Sequence, residues 1–227
     1  MHMSNANDYL DYLPRNVLLL SAVKIFDYAL SIFRFKKRVK PDTIKKILIA
    51  RPDHIGDICL LTAVMPKIAE LFPGAKIDLL IGEWSTRIIA NNRLINEKII
   101  LNHVLYDRRN IFFIKKLLLF IINYIVTIKR LRREEYDVSL IMRSYLGNFA
   151  LLARLGKSKY IVGHATGGCG PIIDQVVRWK KGAHEIEHVL EVLFPFDENI
   201  LGSSFRTDDF KYQLYFNKDN VLAKLNK

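Results

Sequence analysis

The sequence predicts an α/β protein built on a Rossmann-like, doubly wound parallel sheet. Two observations carry this prediction. Short apolar runs rich in β-branched residues, such as residues 46–50 and 75–82, are typical of strands buried on both faces. These runs alternate with helical patterns, as they do in βαβ units. The 227 residues are 50% hydrophobic, which excludes a disordered chain and provides enough apolar surface for a core.

The first half of the chain contains a helix and three strand-helix units. A helix is predicted over residues 14–33, because apolar residues recur there at spacings of three and four. The apolar run 46–50 is the first strand, and a polar turn leads from it into a helix over 58–72. Pro73 and Gly74 end that helix. The next predicted elements are a strand at 75–82, a short helix from Trp84 to about Asn91, and a strand at 98–104.

The second half continues the alternation. The long apolar run 117–128, bounded by basic residues, predicts a helix, and the run YDVSLIM at 136–142 predicts the fourth strand. The remaining predicted elements are a helix at 148–155, a strand at 159–163, a glycine-rich loop at 166–170, a helix at 183–194 and a late strand at 210–216.

Positive charge is concentrated in two segments. The chain has a net charge of +12, but residues 34–46 carry +6 and residues 108–133 carry +8, which leaves about −2 for the rest. A basic protein can bind nucleic acid, a membrane surface or an acidic substrate. Both segments adjoin long apolar runs, whereas nucleic-acid binders interleave basic residues with polar and stacking groups, so nucleic acid is not expected as a partner.

The apolar runs beside these segments predict attachment to a membrane surface. Lys24 and Asp27 interrupt the first run, and the second is shorter than the roughly 20 residues that a spanning helix needs. The order of charge and apolarity at the N-terminus is the reverse of a signal peptide. We therefore expect amphipathic helices that lie on an anionic membrane. The alternative is that both helices simply pack on the core, with their lysines reaching solvent.

The loop after the first strand, residues 51–57, is the principal candidate site. Ligands of doubly wound sheets bind beyond the carboxyl ends of the strands. The loop lacks the glycine patterns of dinucleotide and P-loop sites. Gly56 allows a sharp turn or a close approach to a ligand, and Asp57 falls at or near the N-cap of the following helix. The candidate substrate-binding residues at the carboxyl ends and at the start of the late helix are Arg51, Asp53, His54, Gly56, Trp84, Arg143, His164 and His184.

An ordered set of short motifs resembles glycosyltransferase family 9, the lipopolysaccharide heptosyltransferases and their relatives. The set begins with K-I-L-I-A-R-x-D-x-I-G-D and F-P-G-A-K-I-D-L-L-I-G. It continues with Y-D-V at 136–138, A-R-L-G at 153–156, I-V-G at 161–163 and H-E-I-E at 184–187. The resemblance covers roughly residues 45–216.

The resemblance implies the N-terminal half of a metal-independent GT-B enzyme without a cofactor. Such an enzyme transfers a sugar from a nucleotide-sugar to a lipid-linked acceptor, with inversion, at the cytoplasmic face of the inner membrane. By this analogy Asp57 is the general base that takes the proton of the acceptor hydroxyl. Arg51 and Asp53 would position an anionic acceptor. A purely structural capping role for Asp57 remains the alternative.

The resemblance also divides the chain. Residues 1–44 are expected to be a basic amphipathic extension, 45–217 the acceptor-binding domain, and 218–227 the start of a linker or helix leading to a donor domain. The D-[ST]-G-x-x-H donor motif is absent, so most of the nucleotide-sugar site is expected outside this chain. The sequence also departs from the family pattern after the fourth strand, where residues 141–147 contain no acid. The alternative function is that of a membrane-associated binding protein without catalysis, or a truncated gene product.

Two other features of the sequence bear on metal binding and on disulfide formation. Residues 184–188 match H-E-x-x-H, in which two histidines can bind zinc, but Glu187 is charged where zinc proteases are not and no third ligand is evident. No metal is therefore expected. Two cysteines are too few for a disulfide framework, which favours a reducing, cytoplasmic compartment.

Overall fold

The fold is a parallel sheet covered by helices on both faces. A computed structural model of the chain describes residues 17–33, 35–104, 110–142, 148–202 and 206–214. The strands are β1 (Lys46–Ala50), β2 (Lys76–Ile81), β3 (Glu97–Ile100), β4 (Val138–Ile141), β5 (Tyr160–His164) and β6 (Gln175–Val177). The helices are α1 (Val17–Ile32), α2 (Ile55–Leu71), α3 (Phe113–Glu134), α4 (Asn148–Leu155) and α5 (Glu185–Glu191).

The strand order within the described residues is β3-β2-β1-β4-β5-β6, and each neighbouring pair is parallel. The order reverses direction between β1 and β4, where Ile47 of β1 pairs with Ile77 on one side and Val138 on the other. A crevice opens beyond the carboxyl ends of the strands at such a reversal, and ligands of doubly wound folds bind there. The predicted α/β, Rossmann-like class is confirmed.

Two apolar layers enclose the sheet. One layer joins α2 and α5 to alternate strand residues, with Ile58, Met65 and Leu190 fully buried. The other joins Leu30 of α1, Leu131 of α3 and the apolar face of α4 to the opposite side of the strands. Helices α1 and α3 therefore lie on the same face of the sheet.

Most predicted elements are present with changed bounds: several strands are shorter than predicted, whereas α2 and α3 are longer. The third strand is Glu97–Ile100, because Leu101 continues only one hydrogen bond to β2 before the chain turns away. In place of the short helix near Trp84, a 3-10 turn at Glu83–Ser85 is followed by further turns.

The prediction of a late strand at 210–216 is wrong for its described part. Residues 210–214 have no strand structure, and the backbone N–H of Gln213 donates to Thr62 Oγ1 rather than to a neighbouring strand. The sheet instead ends with β6, which the sequence analysis did not predict. At three residues, β6 is too short to give a recognisable apolar run.

The first basic segment is largely bound to the protein itself. Lys37 Nζ donates to the carbonyl oxygens of Gly170, Pro171 and Ile173. The Arg38 backbone N–H donates to Asp174 Oδ1 at 2.9 Å, and its guanidinium donates to the Ser158 carbonyl. Burial lowers the pKa of Lys37 below its ordinary value. These cations satisfy carbonyl oxygens at the amino edge of β5 and β6, so residues 35–45 act as a strap across that edge.

Helix α1 is docked on the loop that follows β5. The Asp27 carboxylate is buried and accepts a 2.6 Å hydrogen bond from the Cys169 backbone N–H. Gly168 has a φ of +94°, and a Cβ there would lie 2.8 Å from Val23 Cγ1. The helix therefore approaches the loop through Val23, Asp27 and Leu30. Its periodic apolar stripe, which includes Leu18, Ile25 and Phe33, points away from the sheet.

Candidate functional site

Arg51 lies at the point where the strand order reverses. It directly follows β1, and its Nη1 donates a 2.8 Å hydrogen bond to the carbonyl of Met142, which directly follows β4. The Arg51 side chain is only 1% exposed, although a guanidinium is rarely buried unless it is paired. A buried cation at this carboxyl edge defines the centre of the candidate site.

Three carboxylates surround the Arg51 guanidinium. Its Nη2 lies 2.5 Å from Glu185 Oε1 and 3.8 Å from Asp57 Oδ1, and its Nε lies 3.6 Å from Asp53 Oδ2. Only the Glu185 contact is short enough for a charge-assisted hydrogen bond. One cation among three acids leaves the cluster with a net negative charge. Arg51 Nε is buried and forms no hydrogen bond with the described residues; it faces Asp53 Oδ2 at 3.6 Å.

Asp57 occupies the third residue of α2, not its N-cap. The helix begins at Ile55, so His54 is the capping residue, and Asp57 Oδ2 accepts a 3.2 Å hydrogen bond from the His54 backbone N–H. Asp57 thus lies near the N-cap, as predicted, although the helix starts three residues earlier than its apolar pattern suggests. The capping function itself is present, from within the first turn. With 32% of its side chain exposed, the Asp57 carboxylate is accessible to a ligand.

Gly56 is helical. It lies in the first turn of α2, so the sharp turn expected there does not exist. A Cβ at Gly56 would meet nothing within 4 Å, which means that the space above this residue is open. The open space lies beside Asp57, on the side of the crevice.

Trp84 joins the loops after β1 and β2. Its Nε1–H donates a 2.7 Å hydrogen bond to the Asp53 carbonyl oxygen. Its indole ring packs directly on Gly82, where a Cβ would lie only 2.2 Å from the ring. Gly82 is thus required for the position of Trp84, and Trp84 in turn holds the main chain of Asp53 next to Arg51.

The start of α5 contributes one predicted residue and one that sequence reasoning missed. His184 is the N-cap of α5, and its Nδ1 accepts a hydrogen bond from the Ile186 N–H at 3.2 Å. Glu185, the next residue, turns to Arg51. The only sequence signal was its position within H-E-I-E at the predicted start of a helix, and nothing in the pattern indicated an arginine partner.

His164 is a buried structural residue. It ends β5, and its ring nitrogens lie 3.1 Å from the carbonyl oxygens of Val177 and His188. Burial lowers the pKa of His164, and these two carbonyl contacts oppose that effect. The side chain ties β5 to β6 and α5 and is 2% exposed, so it does not face the crevice as a substrate-binding residue.

The structure brings together a group of possible metal ligands that differs from the H-E-x-x-H motif at residues 184–188. The described residues bring together His164, His188 and Glu191, with their ligand atoms within 4.8 Å of one another. Both nitrogens of His164 face carbonyl oxygens, and His188 Nδ1 lies 3.3 Å from Glu191 Oε2. The Trp179 ring stacks on His188 at 3.4 Å. Since His184 caps α5, the two histidines of H-E-x-x-H do not share a ligand set, and the existing contacts of the group leave it no clear role in metal binding.

Two further predictions concern loops. Arg143 lies outside the described residues. In the glycine-rich loop at 166–170, the Cys169 N–H donates to Asp27 and Gly168 packs on α1. The loop therefore supports α1 rather than a ligand.

Comparison with known proteins shows the fold. No family model matches the chain, and no curated protein matches it. Among solved structures, a family 9 glycosyltransferase from Veillonella parvula matches with a TM-score of 0.57 at 17% identity. The E. coli ADP-heptose heptosyltransferase II matches with a TM-score of 0.55 at 17% identity. The E. coli heptosyltransferase WaaC, solved with ADP, matches with a TM-score of 0.53 at 17% identity.

The coverage of these matches is unequal. They cover 81%, 80% and 74% of this chain, but only 48%, 50% and 51% of the respective solved chains. The chain thus spans about half the length of the structures that it matches. At these identities the comparisons confirm the resemblance to family 9 at the level of the fold. No helix among the described residues has both the length and the apolarity to cross a membrane.

Proposed function

We propose that the chain is the acceptor-binding half of a heptosyltransferase-type glycosyltransferase, with Asp57 as its general base. The observation that carries the proposal is the Arg51 cluster, in which an accessible carboxylate stands beside a buried guanidinium at the reversal of the strand order. The fold shared with family 9 glycosyltransferases supports the same assignment.

In the proposed reaction, Asp57 accepts the proton of an acceptor hydroxyl. The hydroxyl oxygen attacks the anomeric carbon of the donor, the bond from that carbon to the nucleoside diphosphate breaks, and the configuration is inverted. The proton resides on Asp57 and the negative charge departs with the diphosphate. The open space beside Gly56 leaves room for the acceptor to approach this carboxylate.

The other charged residues of the cluster position Asp57. The His54 N–H holds one Asp57 oxygen, and Arg51 lies 3.8 Å from the other. Glu185 accepts a hydrogen bond from the same Arg51 Nη2 at 2.5 Å, so this nitrogen is held closer to Glu185 than to Asp57. The accessible part of the cluster, with Asp57, would bind polar groups of the acceptor, with Trp84 at the edge of the site.

The donor and the cellular location complete the proposal. Structures of WaaC contain ADP and an ADP-heptose analogue, and by analogy a nucleotide-sugar is the donor here. The chain spans about half of those structures, and we propose that it contributes the acceptor side of the site. The acceptor is a lipid-linked glycan of a lipopolysaccharide or related surface polysaccharide, and the enzyme acts as a peripheral protein on the cytoplasmic face of the membrane.

The test combines binding and transfer. The 227-residue chain is titrated with a panel of bacterial glycolipid acceptors, and binding is followed by a shift in melting temperature. The full-length product of the gene is assayed for transfer of radiolabel from nucleotide-sugars to the bound glycolipid. Asp57→Asn should abolish transfer while acceptor binding and the melting temperature persist. A general base contributes roughly 100- to 10,000-fold to rate, so near-normal transfer by this variant would leave Asp57 with its capping role alone.

A matched control uses Asp42, an exposed acid outside the crevice. Asp42→Asn removes the same charge from the chain and should leave transfer unchanged. Glycolipid binding without transfer from any nucleotide-sugar would instead favour the alternative of a membrane-associated binding protein.

A further inference from the structure

Helix α3 exposes a continuous apolar ridge. The large apolar side chains on this ridge are more than a third exposed and belong to Phe112, Phe113, Ile114, Leu117, Leu118, Ile121, Ile122, Ile125 and Val126. The opposite face of the helix, which includes Phe120, Tyr124 and Leu131, packs on the core. Apolar residues on both faces of a surface helix are not needed for folding. Contiguous exposed apolar surface of this extent marks an interaction site.

Exposed basic residues lie at both ends of the ridge. Lys115 is exposed near the start of the helix, and Lys129, Arg132 and Arg133 are exposed in its last two turns. No acid occurs between Asp107 and Glu134 in the sequence. The ridge is therefore apolar at its centre and cationic at both ends, with Glu97 paired to Arg130 beside its C-terminal part.

We propose that this ridge of α3 inserts into the head-group region of an anionic lipid bilayer, with its terminal cations on lipid phosphates. An amphipathic helix with basic ends and bulky apolar residues between them lies in the plane of a membrane interface. Lysine and arginine reach the phosphates while their aliphatic stems cover apolar surface.

The structure separates the two basic segments of the chain. Residues 35–45 bind carbonyl oxygens and Asp174 within the protein, so their charge is mostly committed to the fold. In α3, Arg130 pairs with Glu97 and Arg132 donates to the Leu155 carbonyl, whereas Lys115, Lys129 and Arg133 are exposed beside the apolar side chains. Helix α1 lies on the same face of the sheet and turns Leu18, Ile25 and Phe33 outward, so it can extend the same lipid contact.

The proposal rests on the membrane location in the proposed function and is independent of sugar transfer. The 227-residue chain is therefore tested without substrate, by co-sedimentation with vesicles of phosphatidylcholine alone and with 30–40% phosphatidylglycerol added (roughly the anionic fraction at which such binding is strong). The variants are Ile122→Glu with Ile125→Glu, and Lys115→Gln with Lys129→Gln. The matched controls are Tyr212→Glu and Lys211→Gln, which change exposed residues beside Thr62 of α2 on the other face of the sheet.

We expect binding to require phosphatidylglycerol and to weaken with salt. The double glutamate variant should bind at least about tenfold more weakly, because it places charge in the apolar part of the interface. The double glutamine variant should lose roughly fivefold per lysine, and the controls should bind as the unaltered chain does. Brominated lipid should quench the fluorescence of the tryptophan introduced by Ile122→Trp, but not the fluorescence of the tryptophan introduced by Tyr212→Trp.

Three results would overturn the proposal. The first is vesicle binding by the double glutamate variant that equals that of the unaltered chain. The second is a loss of vesicle binding in the control variants that equals the loss in the ridge variants. The third is a concentration-dependent dimer that the glutamates dissociate, together with no vesicle binding, since the ridge would then contact a second copy of the chain. Circular dichroism and melting temperature confirm that each variant is folded, and the exposure of the substituted residues makes unfolding unexpected.

Discussion

Arg51 and Glu185 are 134 positions apart in the chain, and their side chains form a hydrogen bond of 2.5 Å between Nη2 and Oε1. The bond ties the end of β1 to the first turn of α5. It also fixes the one cation that Asp57 and Asp53 share. The geometry of the candidate site therefore depends on a helix that the chain reaches only in its last quarter.

Removal of the Arg51 charge should destabilise the fold strongly. In Arg51→Gln, buried and half-buried carboxylates lose the cation that they share among the described residues, and the expected loss is about 3–5 kcal/mol of unfolding free energy. Urea denaturation at neutral pH measures it. Arg87→Gln, at an exposed position near the same edge, is the control and should change the free energy little. A loss below about 1 kcal/mol for Arg51→Gln would mean that the carboxylates do not depend on the guanidinium.

Glu185 and Glu187 provide a matched pair two residues apart. Glu185→Gln replaces a charge-assisted hydrogen bond to a buried guanidinium by a neutral one, and we expect a loss of about 1 kcal/mol, less than for a fully buried partner. Glu187 pairs with the exposed Lys180, so Glu187→Gln should have little effect on stability. Equal losses from the two variants, measured by thermal unfolding, would contradict the special position of Glu185.

Gly82 and Gly56 should respond to alanine in opposite directions. A methyl group at Gly82 would overlap the Trp84 ring, and we expect a loss of about 1–3 kcal/mol together with a change in tryptophan fluorescence. A methyl group at Gly56 meets open space inside a helix, so Gly56→Ala should stabilise the fold by up to about 1 kcal/mol. If Gly82→Ala leaves both stability and fluorescence unchanged, Trp84 does not pack on Gly82 in solution.

Lys36 and Lys37 test the strap at the amino edge of the sheet. Lys37→Gln loses donors to three carbonyl oxygens and should lower the unfolding free energy by about 1 kcal/mol. Lys36 is exposed, and Lys36→Gln removes the same charge, so it should be close to neutral. The comparison separates a structural use of this basic segment from a general effect of net charge, which would shift both variants alike.

Because His103 is buried, we expect the folded state to lose stability in mild acid. Burial against Phe120 and Phe149 lowers its pKa to about 4 from an ordinary value of 6.5. Above pH 6.5 the imidazole is neutral in both folded and unfolded chains, so its burial carries no proton-linked penalty. Between pH 6.5 and 4 the unfolded chain binds a proton that the folded chain does not, and the unfolding free energy falls by at most about 1.4 kcal/mol per pH unit.

The control for this effect is His103→Gln, which does not titrate. Its unfolding free energy should fall less steeply between pH 6.5 and 4, although buried His164, whose pKa is also lowered, continues to contribute in the same direction. Parallel pH profiles for the two proteins would show that His103 is protonated in the folded state.

Sequence reasoning located the site but not its internal contacts. Arg51, Asp53 and Asp57 stand next to a recognisable buried strand, so their approach to one another could be predicted from adjacency. Glu185 was missed because its contact depends on how α5 packs. His164 was predicted to bind substrate because it follows a strand at the correct edge, yet its ring turns inward to two carbonyl oxygens. Strand position indicates which residues reach the edge, and packing decides which of them face the crevice.

By itself, the sequence determined the parallel α/β class, the edge of the sheet that bears the polar cluster, and the presence of two apolar segments with cationic ends. Periodicity and charge are local properties, so they can be read along the chain. Only the tertiary structure decided how the two basic segments differ. The first segment finds unsatisfied carbonyl oxygens within hydrogen-bond distance and is bound to the fold, whereas α3 has an apolar ridge with no neighbour among the described residues to cover it. The difference arises because hydrogen-bond partners and solvent exposure depend on which distant residues a segment meets.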